Sequence, residues 1–530
     1  MQSNDAAQHA WHFIEKSKAM VLLNTLKDAD AKTNAQIPDE LLKEEYDLRV
    51  ELLYLQRSIA EQEMKKEEAR DKGFIDECQS KLFEYNEKWQ GLINRFERDY
   101  PDYFNLKHQT RLPELAQYKP FLTPKSLLIN YLVGIQYIYV CTLSATALQF
   151  YRLNKPADFD QCCTNALGYV KRNRNKYFAV ANRLYQLLIQ AVLPANAGTD
   201  LKHLIIIPDG KLRDLPFETL LSAEPSDKMS FANQPYLINQ FTVSYHYSAA
   251  LWLYGEQRAA QKPQIPNSFI GFAPVYPDKA PVYVPIPDEL PGLDIDINPT
   301  DMPPELMQPQ ASGKFSVEIK TYRSRKKKGV FRSVLLNGEP FCELLKSEEE
   351  VNTIANLFKQ HRLNGNTYLH HHATKQNVLQ QSTFYKYVLI AAHNDFNPQN
   401  PDFSGILLAP EPGNSEATVF TVTETYHLNL KHAALVVLSC CDSGRGADIR
   451  GEGTMAMNRG LLFSGADRVM YTLFKIPDAE SATLMLYMFE ELLKQKKPNH
   501  AQCLALAKRR FLAQYPQLSP QHWAGFVLLG

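Results

Sequence analysis

Tyr387-Val388-Leu389-Ile390-Ala391-Ala392-His393-Asn394 and Ala434-Leu435-Val436-Val437-Leu438-Ser439-Cys440-Cys441-Asp442-Ser443-Gly444 are the two stretches on which the fold turns. Each is an apolar, β-branched run that stops abruptly at a reactive side chain. Cys441 follows His393 by 48 positions. In an open α/β sheet, ligands and chemistry collect at the carboxyl ends of the strands. Neighbouring parallel strands ending in His and Cys would set a base beside a thiol. That suits a cysteine nucleophile, because the thiolate attacks and a nearby imidazole favours it.

Outward from these runs, strand and helix patterns alternate from 340 to the end. Helix Ser347–Gln360 precedes strand Tyr387–Ala392, and strand Ala434–Ser439 follows. Gly451-Glu452-Gly453 reads as a helix start. Strand Arg468–Phe474, helix Ala479–Lys496, a helix over 499–513 and a last strand at Gly525–Leu529 complete the series. The pattern predicts an α/β catalytic half, 331–530, built on a mostly parallel sheet.

Residues 1–110 read as all-helical. Ala10–Ala19 is amphipathic. Leu41, Leu48, Leu52, Leu55 and Ile59, then Ile75, Cys78, Leu82, Tyr85, Trp89, Leu92 and Phe96, follow helical spacing on either side of Lys72-Gly73. Two such stripes predict an antiparallel helical hairpin, serving as a packing arm or as a partner-binding arm. Between 111 and 272 strands are expected at Leu127–Leu132, Tyr137–Leu143, His203–Ile207, Phe241–Tyr245 and Ser268–Phe272, with helix over 158–194 and a turn at Pro208-Asp209-Gly210. Residues 273–330 crowd ten prolines into a stretch of little periodicity and end in Arg323-Ser324-Arg325-Lys326-Lys327-Lys328-Gly329. This segment reads as a Pro-rich, basic-ended insertion loop. Its basic run is a solvated surface, a contact for an acidic partner or nucleic acid, or a processing site.

Composition excludes several classes. Lys plus Arg and Asp plus Glu both number 58 in 530 residues, so no net charge points to nucleic acid. None of the eight cysteines forms a C-x-x-C pair, so a structural zinc site is not indicated. The adjacent pairs 162–163 and 440–441 do not suit a disulfide framework, and the chain reads as reduced and cytoplasmic. Met1–Asp5 lacks the basic and apolar regions of a signal peptide. Tyr131–Phe150, with Gly134 and Gln136, reads as two buried strands and a turn rather than a membrane span. His370-His371-His372 is read as an exposed turn, and His427 and His432 as surface groups.

Leu438-Ser439-Cys440-Cys441-Asp442-Ser443-Gly444 resembles the Leu-Ser-Ala-Cys-acid-Thr/Ser-Gly signature of CHAT-domain peptidases, caspase-like cysteine proteases related to separases. Further segments match in order: Ile206-Ile207-Pro208-Asp209-Gly210 with Leu215-Pro216-Phe217-Glu218, Glu348-Glu349-Glu350-Val351, Ser404-Gly405-Ile406-Leu407-Leu408, Gly451-Glu452-Gly453, Gly465-Ala466 and Trp523-Ala524-Gly525-Phe526-Val527. The resemblance covers roughly 111–530. It implies a caspase-like, mostly parallel sheet flanked by helices, with 111–272 as a pseudo-caspase half and 331–530 as the active half. The front is similar to a last tetratricopeptide-type helix followed by a long hairpin.

The resemblance makes Cys441 the nucleophile and His393 the general base, with Cys440 in the family's alanine position facing the interior. Backbone N–H groups of Asn394 and Cys441 would hold the oxyanion. Here the chain departs from the family, which has His-Gly where this sequence has His393-Asn394, and Thr where it has Ala392. Asn retains the N–H and tolerates left-handed backbone better than most residues. Asp395, Ser439 and Asp442 are the candidate substrate-pocket residues; the two aspartates could hold a basic side chain or cap helices. The implied reaction is peptide hydrolysis through a thioester. It requires no metal or organic cofactor, takes a protein substrate and is under partner or processing control in a bacterial signalling or defence setting. Two alternatives stay open: a catalytically dead adaptor that binds partners, and a cysteine amidase acting on small amides.

Overall fold

The computed structural model describes residues 4–274 and 317–530, apart from 19–21, 25–26, 29–31, 33–34, 36, 64–66, 68–69, 102, 104–111, 173, 195–199, 226–229, 325–328, 337–338, 343–345, 396–403, 410–417, 427, 441–446 and 450–452. Three long helices open the chain: α1 (Asn4–Lys16), α2 (Asp39–Glu63) and α3 (Lys72–Asp99). The second and third pack on each other as the expected hairpin. Asp71 caps α3 by accepting from the Phe74 amide.

Strands β1 (Ser126–Val133), β2 (Tyr137–Leu143) and β3 (Leu148–Asn154) form an antiparallel meander. Helices α4 (Phe159–Arg172) and α5 (Arg174–Tyr185) follow, then β4 (His203–Ile207), β5 (Thr242–Tyr245), α6 (Ala249–Gln261) and β6 (Ser268–Ala273). A separate antiparallel sheet comprises β7 (Val317–Ser324), β8 (Gly329–Leu336) and β9 (Glu339–Cys342). Next come α7 (Ser347–Gln360), β10 (Asn364–Leu369), α8 (Lys375–Gln381), β11 (Tyr387–Ile390), β12 (His393–Asp395), β13 (Gly405–Leu408), β14 (Thr418–Thr421), β15 (Leu435–Leu438), β16 (Ala447–Ile449), β17 (Gly453–Met455), α9 (Met457–Phe463), β18 (Val469–Thr472), α10 (Asp478–Leu493), α11 (His500–Gln514) and β19 (Phe526–Leu529).

Eleven strands join in one sheet ordered β10-β6-β11-β15-β18-β19-β5-β4-β1-β2-β3. From β10 to β18 every pairing is parallel; β19 runs antiparallel to β18 and parallel to β5. The central strands are apolar along their whole length because both faces are covered. Alternate residues divide between them: Val388, Ile390, Val436 and Leu438 enter one core, and Tyr387, Leu389, Leu435 and Val437 the other. The second core is roofed by α7, α10 and α11 through Val351, Ile354, Phe358, Leu484, Met488 and Phe511. Each such side chain contributes about 1.5–3 kcal/mol on burial. Gly271 in β6 lets α7 approach: a β-carbon there would lie 2.7 Å from Val351 Cβ.

The N-terminal helix packs against the first part of this sheet rather than standing apart from it. Trp11 and Ile14 share a core with Leu128, Cys141 and Ile205. Buried Glu15 accepts from Asn130 Nδ2 at 2.6 Å and from the Ala250 amide at 2.8 Å, at the start of α6. Lys18 donates to Asn130 Oδ1 at 2.8 Å.

The structure differs from the sequence reading at several places. Gly451 and Glu452 lie outside the described residues, and Gly453 does not open a helix. Gly453 starts β17, paired with Ile449, and the apolar helical stripe Met457, Leu461 and Leu462 begins only after it. The insertion 273–330 is not loop throughout, since the period-two run from Val317 forms β7 and pairs with β8. Its residues 275–316, with nine of the prolines, lie outside the described residues. Strand β6, counted within 111–272, is hydrogen-bonded between β10 and β11 and so completes the second half of the sheet. Strand β10 had no counterpart in the reading, because Asn364-Gly365-Asn366 is polar and the strand lies at the sheet edge. Among the described residues no helix is long and apolar enough to cross a membrane.

Candidate active site

Strands β11 and β15 are parallel neighbours in register, Ile390 opposite Leu438. Beyond that pair the Ser439 amide donates to the Ile390 carbonyl at 2.9 Å, and the Ala391 amide donates to Phe272 at 2.9 Å. The two runs that decide the fold therefore end side by side at one edge of the sheet, the edge where ligands gather in such folds. After Ala391 and Ala392, both buried, the chain turns into β12. His393 opens that strand and pairs with Leu407; Asn394 pairs with Ile406 and Asp395 with Gly405. His393 and Asn394 are half-buried. A small antiparallel sheet, β12-β13-β14, thus carries the imidazole.

The strands stop at Ile390 and Leu438, three residues before His393 and Cys441. Cys440 is 2 % exposed and its Sγ lies 3.4 Å from the Ile390 carbonyl oxygen, so this thiol belongs to the interior. Thr472 Oγ1, from the end of β18, donates to the Cys440 carbonyl. Cys441 and Asp442 lie outside the described residues, as does the side chain of Asp395.

Ser439 is half-buried and faces α7 and α10. Its Oγ lies 3.2 Å from Glu350 Oε2 and 3.1 Å from Ser481 Oγ. Burial, reinforced by the nearby Asp478 carboxylate, pushes the Glu350 carboxyl up to about 8. The sequence reading quoted Glu350 only within the segment Glu348-Glu349-Glu350-Val351 and gave no site role to Glu350, Ser481 or Thr472. One signal was available: Glu350 lies on the apolar stripe with Ile354 and Phe358, where a carboxyl is out of place.

The remaining histidine motifs lie elsewhere. His370–His372 forms a single turn after β10, with His371 and His372 exposed. His432 is half-buried, and His427 is outside the described residues.

A mostly parallel sheet flanked by helices and preceded by a helical region defines the class of this protein. The chain belongs to the CHAT-domain family, whose model matches residues 179–530. Among solved structures it is similar to the Arg-specific cysteine proteinase gingipain R, at 11% identity and a TM-score of 0.37, over 67% of each chain. The complex of Porphyromonas gingivalis RgpB pro- and mature domains gives 11% identity and 0.37, over 71% of this chain and 77% of that one. The Saccharomyces cerevisiae separase–securin complex gives 8% identity and 0.41, over 80% of this chain and 32% of that one. No curated protein matches the sequence.

Proposed function

We propose that the protein is a cysteine endopeptidase in which Cys441 is the nucleophile and His393 the general base. The observation that carries this reading is the level termination of β11 and β15. Ile390 and Leu438 pair directly, and His393 and Cys441 each follow three residues later. Membership of the CHAT-domain family supports the same chemistry.

The imidazole accepts the thiol proton, and the Cys441 sulfur attacks the scissile carbonyl. Backbone N–H groups of Asn394 and Cys441 receive the developing oxyanion; one such donor is worth about two to three orders of magnitude in turnover. The imidazolium then protonates the departing amine as the C–N bond breaks. Water attacks the thioester, gives its proton to His393, and releases the carboxylate and the thiol. Ser439, Asp395 and Asp442 are the proposed lining of the substrate pocket. Regulation by a protein partner on the helical region belongs to the same reading, and the exposed Tyr54 and Phe83 of the hairpin provide apolar contacts for it.

The test is a proteome-wide cleavage-site profile of wild type against Cys441→Ala, with and without candidate partner proteins. A site class present only with the wild type supports the peptidase. Identical profiles in every arm, together with no loss of thiol-probe labelling in Cys441→Ala, would leave an adaptor instead.

A further inference from the structure

We propose that Glu350 is a positioning residue for the candidate nucleophile: through Ser439 and Ser481 it ties the tip of β15, two residues short of Cys441, to the first turns of α7 and α10. The role rests on the reading of Cys441 as the nucleophile. Three elements meet at one hydroxyl, Ser439 Oγ, which has Glu350 Oε2 at 3.2 Å and Ser481 Oγ at 3.1 Å. Glu350 is 3 % exposed, and its Oε1 has no hydrogen-bond partner among the described residues.

The charged groups around the cluster are occupied elsewhere or repel it. From α10, Asp478 accepts from the Lys346 amide at 2.7 Å, and Glu480 is held by His522 at 2.9 Å. On the first turn of α7, Glu349 pairs with Lys346 and Glu348 lies 3.4 Å from His370. Of the strands beneath α7, β6 has no titratable side chain and β10 has Tyr368. Sealed from water beside Asp478, Glu350 keeps its proton at neutral pH and gives it up near pH 8. A neutral carboxyl can both donate and accept, so it fits Ser439 without placing a charge in the core. An ionised one still accepts from Ser439, which favours the charged form, but the charge sits in the core with Oε1 unpartnered among the described residues, and burial beside Asp478 outweighs that bond. Alkaline ionisation therefore loosens the strand tip that leads to Cys441.

Hydrogen exchange of the peptide spanning Leu435–Cys440, corrected for intrinsic rate, tests the tie between about pH 6.5 and 9.5 in the full-length protein. Wild-type protection should fall about tenfold or more across this range, following the ionised fraction. Glu350→Gln, which donates and cannot ionise, should keep its protection flat, and Glu350→Ala should be low throughout. Parallel curves for wild type and Glu350→Gln overturn the proposal. In a second arm, iodoacetamide alkylation of Cys441 is followed by peptide mapping. The two proteins should differ by about tenfold above pH 8 and agree below pH 7. Equal alkylation at every pH removes the positioning role even where exchange shows a loosened strand. A Cys441 no more reactive than an ordinary thiol in either protein counts against the peptidase reading, and the exchange arm still decides whether Glu350 holds the strand.

Discussion

The Ser439 amide donates to the Ile390 carbonyl at 2.9 Å, adding one rung to the β11/β15 ladder beyond Leu438. This rung holds the two strand ends level, so the segments that carry the candidate base and nucleophile leave the sheet together. If His393 is the base, His393→Ala should lower the single-turnover cleavage rate by about 10²–10⁴. The melting curve by circular dichroism should change little, because the ring is half-buried at the start of a short strand. An unaltered cleavage rate would remove the assignment.

Gly405 faces Asp395 across the small sheet that carries His393. A β-carbon at this position would press on the Phe420 carbonyl, 2.7 Å from its carbon and 2.8 Å from Thr421 Cα. Those are backbone atoms of β14 and its end, so no rotamer change relieves the contact. Gly405→Ala should cost about 1–3 kcal/mol, the usual range for overpacking, measured by urea denaturation. Cleavage should fall further than stability, because the strain is delivered to β12. Wild-type stability in the variant would show that the strands can separate without cost.

Much of this architecture was legible because its central strands are short apolar runs with sharp ends. Tyr387–Ile390 and Leu435–Leu438 need no partner to be recognised, and α7 announces itself with Glu348-Glu349-Glu350 in its first turn. Features set by tertiary context were harder to see. The polar β10 is a strand because β6 pairs with it, and Gly453 is extended because Ile449 lies opposite. At the site, the inward-facing Cys440 agrees with the alanine position that the resemblance gave it. The clustering of Glu350, Ser439 and Ser481 was not legible, since it depends on two helices and a strand that are far apart in sequence and converge on one hydroxyl.

The Leu-Pro-Phe-Glu motif ends in a buried ion pair. Lys508 Nζ on α11 lies 2.8 Å from Glu218 Oε1, with side-chain exposures of 0% and 1%. Tyr245 OH donates to the other carboxylate oxygen and accepts from the Phe217 amide at 2.8 Å. Removing one partner strands the other charge in the core. Lys508→Met or Glu218→Met alone should therefore destabilise by about 3–5 kcal/mol. The double substitution Glu218→Met with Lys508→Met should recover a large part of that loss, leaving mainly the Tyr245 hydroxyl proton without an acceptor, at about 1–3 kcal/mol. A urea-denaturation double-mutant cycle measures the coupling; strict additivity would mean that the pair does not act as a unit.

Three histidines, His246 buried and His203 and His500 half-buried, should make the fold acid-sensitive. Burial lowers His203 to about 4 and His246 and His500 to about 3, with the Arg468 charge adding to each shift. The folded state keeps these rings neutral, whereas the unfolded chain protonates them near pH 6.5. Their contribution to stability is therefore complete above pH 6.5 and lost as the pH falls from there towards 4 and 3. Each ring removes up to about 1.4 kcal/mol per pH unit across that window. Other groups titrate over the same range, notably Glu350, whose raised value acts in the opposite direction between 4.5 and about 8. The difference between wild type and a single variant cancels them. Urea midpoints of His246→Gln and His500→Gln should each decline less steeply than wild type between pH 7 and 4.5. Parallel declines would show that the imidazoles reach water and take up their protons without unfolding the chain.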